Sequence, residues 1–399
     1  MYKYLADLVL RSGKYGVLLS VFISVQALAQ DTVSKSQKDV RDILFSKKRL
    51  ESIENRKRKV VFSILPSAGS GNGSKTLITS FVTTFNLGHN DSTKLSTIYF
   101  TPWFTFSGQF VFPIRTYIYS KNNRFNFMGE YKYEIYPQPV FQLGKVDSVS
   151  PQSIINYEHF RFHQTTSISV YKNFFIGSGV QLDYYYKIDE EKKSDGPSDY
   201  YTYMKGDFNS FVSNGLTLQF LYDSRQNTLN SKNGTLCRAN FRFNTKWMGS
   251  TNKWGSFYCD VRKYVSLSQT KNRVLAFWGL YWTTMYGFPH YLDLPSIGAD
   301  IYARSGRGIW RNSLKSNALL YLESEYRFDI SRNGLWGAVV FMNATAPSQY
   351  DTQKFRNWYP AIGTGLRLKW DKNTRTNLTT DIAVSKDYWA WYVGIAEYF

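Results

Sequence analysis

Apolar and polar residues alternate with a period of two along much of this 399-residue chain. Between Cys237 and Phe243 the odd positions carry small or apolar side chains, and Arg238, Asn240 and Arg242 lie between them. Successive side chains of an extended backbone point to opposite faces, so this pattern predicts a strand with one apolar and one polar face. A soluble sandwich shows the same alternation, so the pattern alone does not say which face is buried.

The strand count and the composition favour a membrane barrel. From residue 59 onward we predict sixteen strands, an even number as single-chain bacterial barrels require, with no helix of useful length between them. Aromatic residues form 18% of the chain, and the mean hydropathy of −0.37 suits strands whose alternate residues face an aqueous lumen. The expected fold is an all-β transmembrane antiparallel barrel. Its predicted strands are 59–65, 76–87, 94–104, 108–119, 123–136, 155–171, 174–188, 211–222, 235–246, 255–267, 272–287, 318–329, 335–345, 360–370, 374–385 and 388–399.

The first 29 residues have the layout of a secretory signal peptide. Basic residues precede a mostly apolar run, Val17–Ala29, which ends in the small-x-small sequence Ala27-Leu28-Ala29. We predict cleavage after Ala29, so that mass spectrometry of the membrane-inserted protein finds Gln30 as its first residue. An intact peptide from Met1 would contradict this. Residues 30–58 are then a polar periplasmic lead-in and 59–399 the barrel.

The formal net charge of +19 favours an anionic partner. A signal peptide makes nucleic acid a poor candidate, so the anionic head groups of outer-membrane lipids are the expected partner. The expected location is the bacterial cell outer membrane.

No residue pattern indicates an enzyme, a cofactor or a metal ion. The glycine-rich stretch Ala68–Thr76 lacks the glycine that a phosphate-binding loop needs before its lysine. His159 and His163 are four residues apart, which spreads them along a strand, and no third ligand accompanies them. Cys237 and Cys259 fall on the apolar faces of consecutive strands. We expect free, lipid-facing thiols there, with a disulfide as the alternative.

A polar stretch, YDSRQNTLNSKNGT, interrupts the aromatic-rich pattern in mid-chain. Asp223, Arg225 and Asn227 stand at steps of two and would share one face of an extended backbone that runs into a turn. With Gly234, they resemble the Asp-x-Arg-x-Asn…Pro-x-x-Gly signature of the BamA/TamA superfamily of outer-membrane assembly and translocation barrels, also called bacterial surface antigens. Ser231 stands where proline is usual.

The resemblance extends to a long loop before the last five strands, Ile301–Asn317. In the family an Arg-Gly-aromatic tip on this loop folds back into the lumen. Arg307-Gly308-Ile309 is the nearest match, and Arg304-Ser305-Gly306 is a competing alignment. Because a barrel of this size leaves an aqueous channel unless it is filled, and because arginine pairs bidentately with carboxylates, Glu323 and Glu325 are the expected partners. The alternative is a surface loop with incidental charges.

The resemblance covers roughly residues 59–399 and implies a role in the insertion or translocation of outer-membrane proteins. The barrel would act through a weak seam between its first and last strands, with nascent outer-membrane proteins or assembly-machinery subunits as partners. Family members that receive clients carry POTRA domains, and about 29 residues between Ala29 and Lys59 are too few for one, so client capture is not implied. The alternatives are a plugged pore and a structural or accessory barrel of a larger envelope complex.

The C-terminal sequence DYWAWYVGIAEYF predicts an amphipathic last strand. Trp391 and Phe399 fall on its apolar face, which we expect to meet lipid. A terminal aromatic residue resembles the signal by which bacterial barrels are handed to the assembly machinery, although Glu397 interrupts the apolar face.

Overall fold

The computed structural model describes residues 37–44, 60–71, 74–88, 93–145, 150–192, 196–206, 208–225, 227–268, 271–372 and 374–399. The predicted signal peptide lies outside these residues. The described residues fold mainly into strands. They are β1 (Val60–Gly71), β2 (Ser74–Phe85), β3 (Ser96–Phe100), β4 (Trp103–Thr105), β5 (Phe110–Tyr119), β6 (Phe125–Ile135), β7 (Gln138–Val140), β8 (Ser153–Tyr171), β9 (Phe174–Lys192), β10 (Ser210–Asp223), β11 (Gly234–Asn244), β12 (Trp254–Ser266), β13 (Arg273–Gly287), β14 (Ala318–Asp329), β15 (Trp336–Pro347), β16 (Tyr359–Asp371), β17 (Thr376–Ser385) and β18 (Trp389–Ile395).

These eighteen segments form sixteen barrel strands. β3 and β4 both lie between β2 and β5, so they are one strand broken near Pro102. β6 and β7 likewise both pair with β8 and are one strand broken near Pro137. Proline has no N–H to donate to a strand ladder, which accounts for both breaks. All pairings are antiparallel and follow chain order, and β1 also pairs with β18 to close the ring. The predicted all-β antiparallel barrel is confirmed.

Polar side chains line the interior and apolar ones cover the outside. On β14, Leu322 is 47% exposed, whereas its neighbour Glu323 is 4% exposed. On β10, Leu218 is 39% exposed and Gln219 only 2%. A soluble sandwich would bury the leucines, so this inversion identifies the face that the alternation left open: the apolar face is the one that meets lipid.

The two ends of the barrel differ. At one end, the loop end, lie the long connections between β9 and β10 and between β13 and β14. A short helix, α1 (Val40–Leu44), lies at the other end, the terminus end, where β18 also finishes. The helix is held by Lys372, whose Nζ lies 2.8 Å from Asp42 Oδ1. A second short helix, α2 (Asp199–Met204), packs its Tyr200 and Tyr203 into an aromatic cluster at the loop end.

No helix among the described residues is long and apolar enough to cross a membrane.

Candidate functional site: a filled interior and a loosely paired seam

The loop between β13 and β14 folds back into the barrel. Its two arms are joined by backbone hydrogen bonds, including one of 2.9 Å from Ile297 N to Leu314 O. Gly306 and Gly308 have φ angles of 83° and 81°, a conformation that costs other residues energy. A Cβ on Gly308 would lie 3.1 Å from the Cβ of Ala383 on β17. The tip is therefore pressed against the inner wall.

Arg307, at this tip, is fully buried and faces three carboxylates. Its Nε lies 2.9 Å from Glu323 Oε1, its Nη2 lies 2.5 Å from Glu325 Oε2, and its Nη1 lies 2.8 Å from Asp381 Oδ2. Buried charges are tolerated when they are paired and hydrogen-bonded, and the loss of one partner is costly. The structure thus brings the loop arginine together with both glutamates expected from the sequence, and adds Asp381.

Aromatic rings and backbone bonds hold Arg307 in place. The guanidinium carbon lies 3.4 Å from the ring centroid of Phe341 and 4.2 Å from that of Tyr398, so both rings make cation–π contacts with the charged group. The Asn343 side chain donates to the Arg307 carbonyl at 2.9 Å. Gly308 N donates to the Tyr392 hydroxyl at 2.9 Å. The loop tip is therefore attached to β15, to β18 and to the C-terminal residues.

The ion pairs continue toward the terminus end through two more arginines. Arg327 Nε lies 2.6 Å from Glu325 Oε1, and Arg367 Nε lies 2.7 Å from Glu397 Oε2. Arg367 Nη1 also lies 2.5 Å from Asp381 Oδ1. We call this set the Arg307 cluster; it comprises Arg307, Arg327, Arg367, Glu323, Glu325, Asp381 and Glu397.

The last residues do not lie where the sequence pattern placed them. β18 ends at Ile395, and Ala396 has a φ of 70°, which turns the chain inward. Phe399 is buried beside Trp278 and Tyr264, with ring centroids 5.3 and 6.3 Å apart. The expectation of a lipid-facing Phe399 is therefore wrong, because the extended backbone needed for strict alternation stops four residues before the end.

The motif in the β10–β11 turn lies at the terminus end. Arg225 Nε donates to Asp223 Oδ1 at 3.0 Å, and both side chains are buried. Asn227 lies beyond the strand, where its Oδ1 accepts from Leu229 N at 2.8 Å, in the turn that the stretch was expected to enter. Gly234 has a φ of 110° and begins β11.

The seam between β1 and β18 is short. A single registered pair, Ser70↔Trp391, joins the two strands. By contrast, β1 is in register with β2 over its whole length, and β18 shares seven pairs with β17. Trp391 therefore lies at the only registered position of the seam among the described strands.

The other candidate residues have structural partners. Arg304, the competing loop arginine, donates through Nη1 to the carbonyls of Glu397 and Tyr398 at 2.7 and 2.9 Å. His159 contacts Glu134 and Asp183 at 2.7 and 2.9 Å. No group of metal-ligating side chains occurs in the described part of the chain.

Both cysteines are free, in agreement with the thiols expected at these positions. Cys237 stands opposite Val261, and Cys259 opposite Ala239, so they are diagonal neighbours.

Sequence reasoning missed the partners that lie far along the chain from the loop. Asp381, Phe341, Tyr392 and Tyr398 belong to strands or ends whose distance from Arg307 depends on barrel closure. Glu397 was the available signal: a carboxylate that breaks an apolar face near the end of a strand needs a partner elsewhere.

Comparison with known proteins identifies the fold only. No family model and no curated protein matches the chain. The solved structure of BamA from Haemophilus ducreyi lacking POTRA domains 1–3 matches with a TM-score of 0.52 and 13% identity, over 93% of this chain and 81% of that one. CdiB from Acinetobacter baumannii matches with a TM-score of 0.56 and 10% identity, over 85% of this chain and 60% of that one. The chain thus spans less than two thirds of CdiB.

Proposed function

We propose that this chain is an outer-membrane barrel of the BamA/TamA type that helps other outer-membrane proteins to insert or cross. The proposal rests on one observation, the single registered pair between β1 and β18. The barrel lies in the outer membrane with its terminus end toward the periplasm, and its partners are outer-membrane lipids and nascent barrel proteins. The fold similarity to BamA and CdiB supports the proposal without establishing it.

The inward turn at Ala396 limits how far the seam can extend. The backbone beyond Ala396 makes its hydrogen bonds inside the barrel: Glu397 N donates to Leu229 O at 3.1 Å, and Arg327 Nη2 donates to the Phe399 carbonyl at 2.9 Å. These residues therefore cannot extend the ladder along β1. An unpaired strand edge is a template on which another strand can add.

The filled interior directs a client toward that edge. With the Arg307 cluster and the folded-in loop occupying the lumen, a polypeptide has no wide central path. The free edges of β1 and β18 offer backbone donors and acceptors at membrane depth, where unsatisfied groups are costly. A client strand would satisfy them and then pass sideways into lipid.

A seam lock tests this proposal. Ser70 and Trp391 are backbone partners across the antiparallel seam, and opposite positions in such a pair are close enough for a disulfide between introduced cysteines. In a background with both native cysteines replaced by alanine, the Ser70→Cys/Trp391→Cys protein is placed in lipid vesicles. Insertion of a small outer-membrane barrel unfolded in urea is then followed by its heat-dependent gel mobility. We expect reduced protein to accelerate insertion several-fold and oxidised protein to match vesicles alone.

The matched control places the disulfide between β18 and its other neighbour, β17. Ile382 is in register with Trp391 on the β17 side, so Ile382→Cys/Trp391→Cys joins two strands that are already fully paired. This disulfide should leave the acceleration unchanged. If the lock across β1 and β18 also leaves it unchanged, lateral opening is not how the barrel works.

A plugged pore is the second candidate, favoured by the charged lining of the interior. It predicts stable single-channel conductance from the unmodified protein and no effect on the insertion of other barrels.

A further inference from the structure

A small cavity lies inside the barrel near the terminus end. It is bounded by the β10–β11 turn, the folded-in loop and the C-terminal residues, it is partly open, and its volume is about 30 Å³. A water molecule needs roughly 10–15 Å³ measured in this way. The cavity therefore has room for two or three non-hydrogen atoms. It is separate from the seam and from the Arg307 carboxylate partners.

Four arginines and one glutamate line this cavity, together with the last residue, Phe399. The arginines are Arg225, Arg238, Arg262 and Arg304, and the glutamate is Glu397. Both oxygens of Glu397 are already engaged, Oε2 by Arg367 at 2.7 Å and Oε1 by Asn377 at 2.6 Å. The cavity wall therefore offers donors and positive charge without a free acceptor from Glu397.

Two aspartates next to the cavity, Asp260 and Asp223, each contact two basic side chains. Asp260 accepts from Arg262 Nε at 2.9 Å and from Arg238 Nη2 at 2.9 Å. Asp223 accepts a hydrogen bond from Arg225 Nε. It also pairs with Lys94, whose Nζ lies 3.7 Å from Asp223 Oδ1.

Arg304 binds only carbonyl oxygens through its guanidinium. The nearby carboxylate of Asp300 accepts from the backbone N–H groups of Arg304 and Ser305, at 3.1 and 2.7 Å. The guanidinium of Arg304 therefore has no carboxylate partner among the described residues.

One donor on the wall has no partner. Arg238 is 2% exposed, and its Nε makes no hydrogen bond to any described residue. A buried, charged N–H without an acceptor carries a desolvation cost that an anion in the cavity would remove. Guanidinium groups bind carboxylates in a fork, with two parallel hydrogen bonds.

We propose that this cavity is a binding site for a carboxylate group. The three heavy atoms of a carboxylate match the room available, and its two oxygens match the arginine forks. The carboxylate comes either from a small molecule or from a polypeptide that enters at the terminus end, and both present the same chemistry to Arg238 and its neighbours. This inference does not depend on the role of the seam.

Acetate is the probe, because its carboxylate matches the cavity and its methyl group can stand in the open side. The full chain in detergent is titrated calorimetrically with sodium acetate, with ionic strength kept constant by the bulky ions of Tris and HEPES. We expect saturable binding of one acetate per chain. Because Arg262 lies 4.5 Å above the Trp278 ring, we also expect a saturable change in tryptophan fluorescence. An absence of saturation in both measurements overturns the proposal.

Two arginines on one face of β11 supply the variant and its control. Arg238→Gln removes a charge from the cavity wall and should weaken acetate binding about tenfold or more. Arg242→Gln removes another buried arginine, which pairs with Asp183 at 2.7 Å and does not line the cavity. This variant should bind acetate as the unmodified protein does. Equal weakening in both variants contradicts the site. If Arg238→Gln does not fold, Arg304→Gln is used instead, because Arg304 lines the same cavity from the folded-in loop. It should also weaken acetate binding.

The source of the carboxylate is distinguished by peptides. A short peptide with a free C-terminal carboxylate that displaces acetate, while its C-terminal amide does not, indicates a polypeptide ligand. Displacement by neither peptide indicates a small-molecule carboxylate. Either result supports the site, and displacement by both peptides equally contradicts carboxylate recognition.

Discussion

Replacing Arg307 with alanine is expected to release the folded-in loop and open the barrel to ions. The change removes the one guanidinium that contacts Glu323, Glu325 and Asp381 together, and leaves three buried carboxylates close to one another. Breaking a buried pair in this way costs about 3–5 kcal/mol, against at most about 1 kcal/mol for an exposed pair. We expect faster proteolysis within residues 288–317 and a several-fold rise in conductance across planar bilayers.

Two variants sharpen this prediction. Arg307→Lys keeps the charge but cannot form the same fork or the same contacts with the Phe341 and Tyr398 rings, so it should fall between the unmodified protein and alanine. Arg311→Ala removes another arginine of the same loop. Arg311 stacks over Tyr136 at 5.5 Å and has no ion pair within the described part of the chain, so its loss should have a smaller effect. Unchanged proteolysis and conductance in Arg307→Ala would mean that the loop is not held by this cluster.

Replacing Phe399 with alanine is expected to lower the heat resistance of the folded barrel. The ring packs inside the barrel against Trp278 and Tyr264, and Arg327 lies 5.4 Å from its centroid. Removing a buried phenylalanine typically costs about 3–5 kcal/mol. The temperature at which the protein loses its folded gel mobility should therefore fall, and Tyr398 and Glu397 should become easier to digest from the C-terminus with a carboxypeptidase.

The control is Trp389→Ala on the same terminal segment. Trp389 is 60% exposed on the outer face, so its removal changes lipid contact and leaves the interior intact. A smaller loss of heat resistance is expected there. Equal losses would place Phe399 against lipid, as its position in the sequence pattern first indicated.

The two C-terminal residues that the sequence singled out, Trp391 and Phe399, therefore lie in different environments, one in the barrel wall and the other in the interior. Trp391 stays in the strand and takes part in the seam, whereas Phe399 leaves it. If the terminal aromatic also acts as an assembly signal, it does so before the chain has turned inward, since the finished barrel buries it.

The number of strands and the alternation within each are local properties, and sequence reasoning identified them. A period of two needs only neighbouring residues along an extended backbone. Arg307 was reached through the family resemblance of its loop, with Arg304 as a competing alignment. Its partners were then expected from the sequence, because Glu323 and Glu325 stand on the next strand.

The tertiary structure decided what depends on closing the ring. Arg307 and Asp381 are far apart in the chain and meet only because β14 and β17 share one inner wall. Ala396, with its left-handed backbone, sends the last residues inward, so they cannot extend the seam. Alternation defines two faces for each strand, but it assigns neither face to lipid, gives no stopping point for the strand, and cannot place a side chain that has left it.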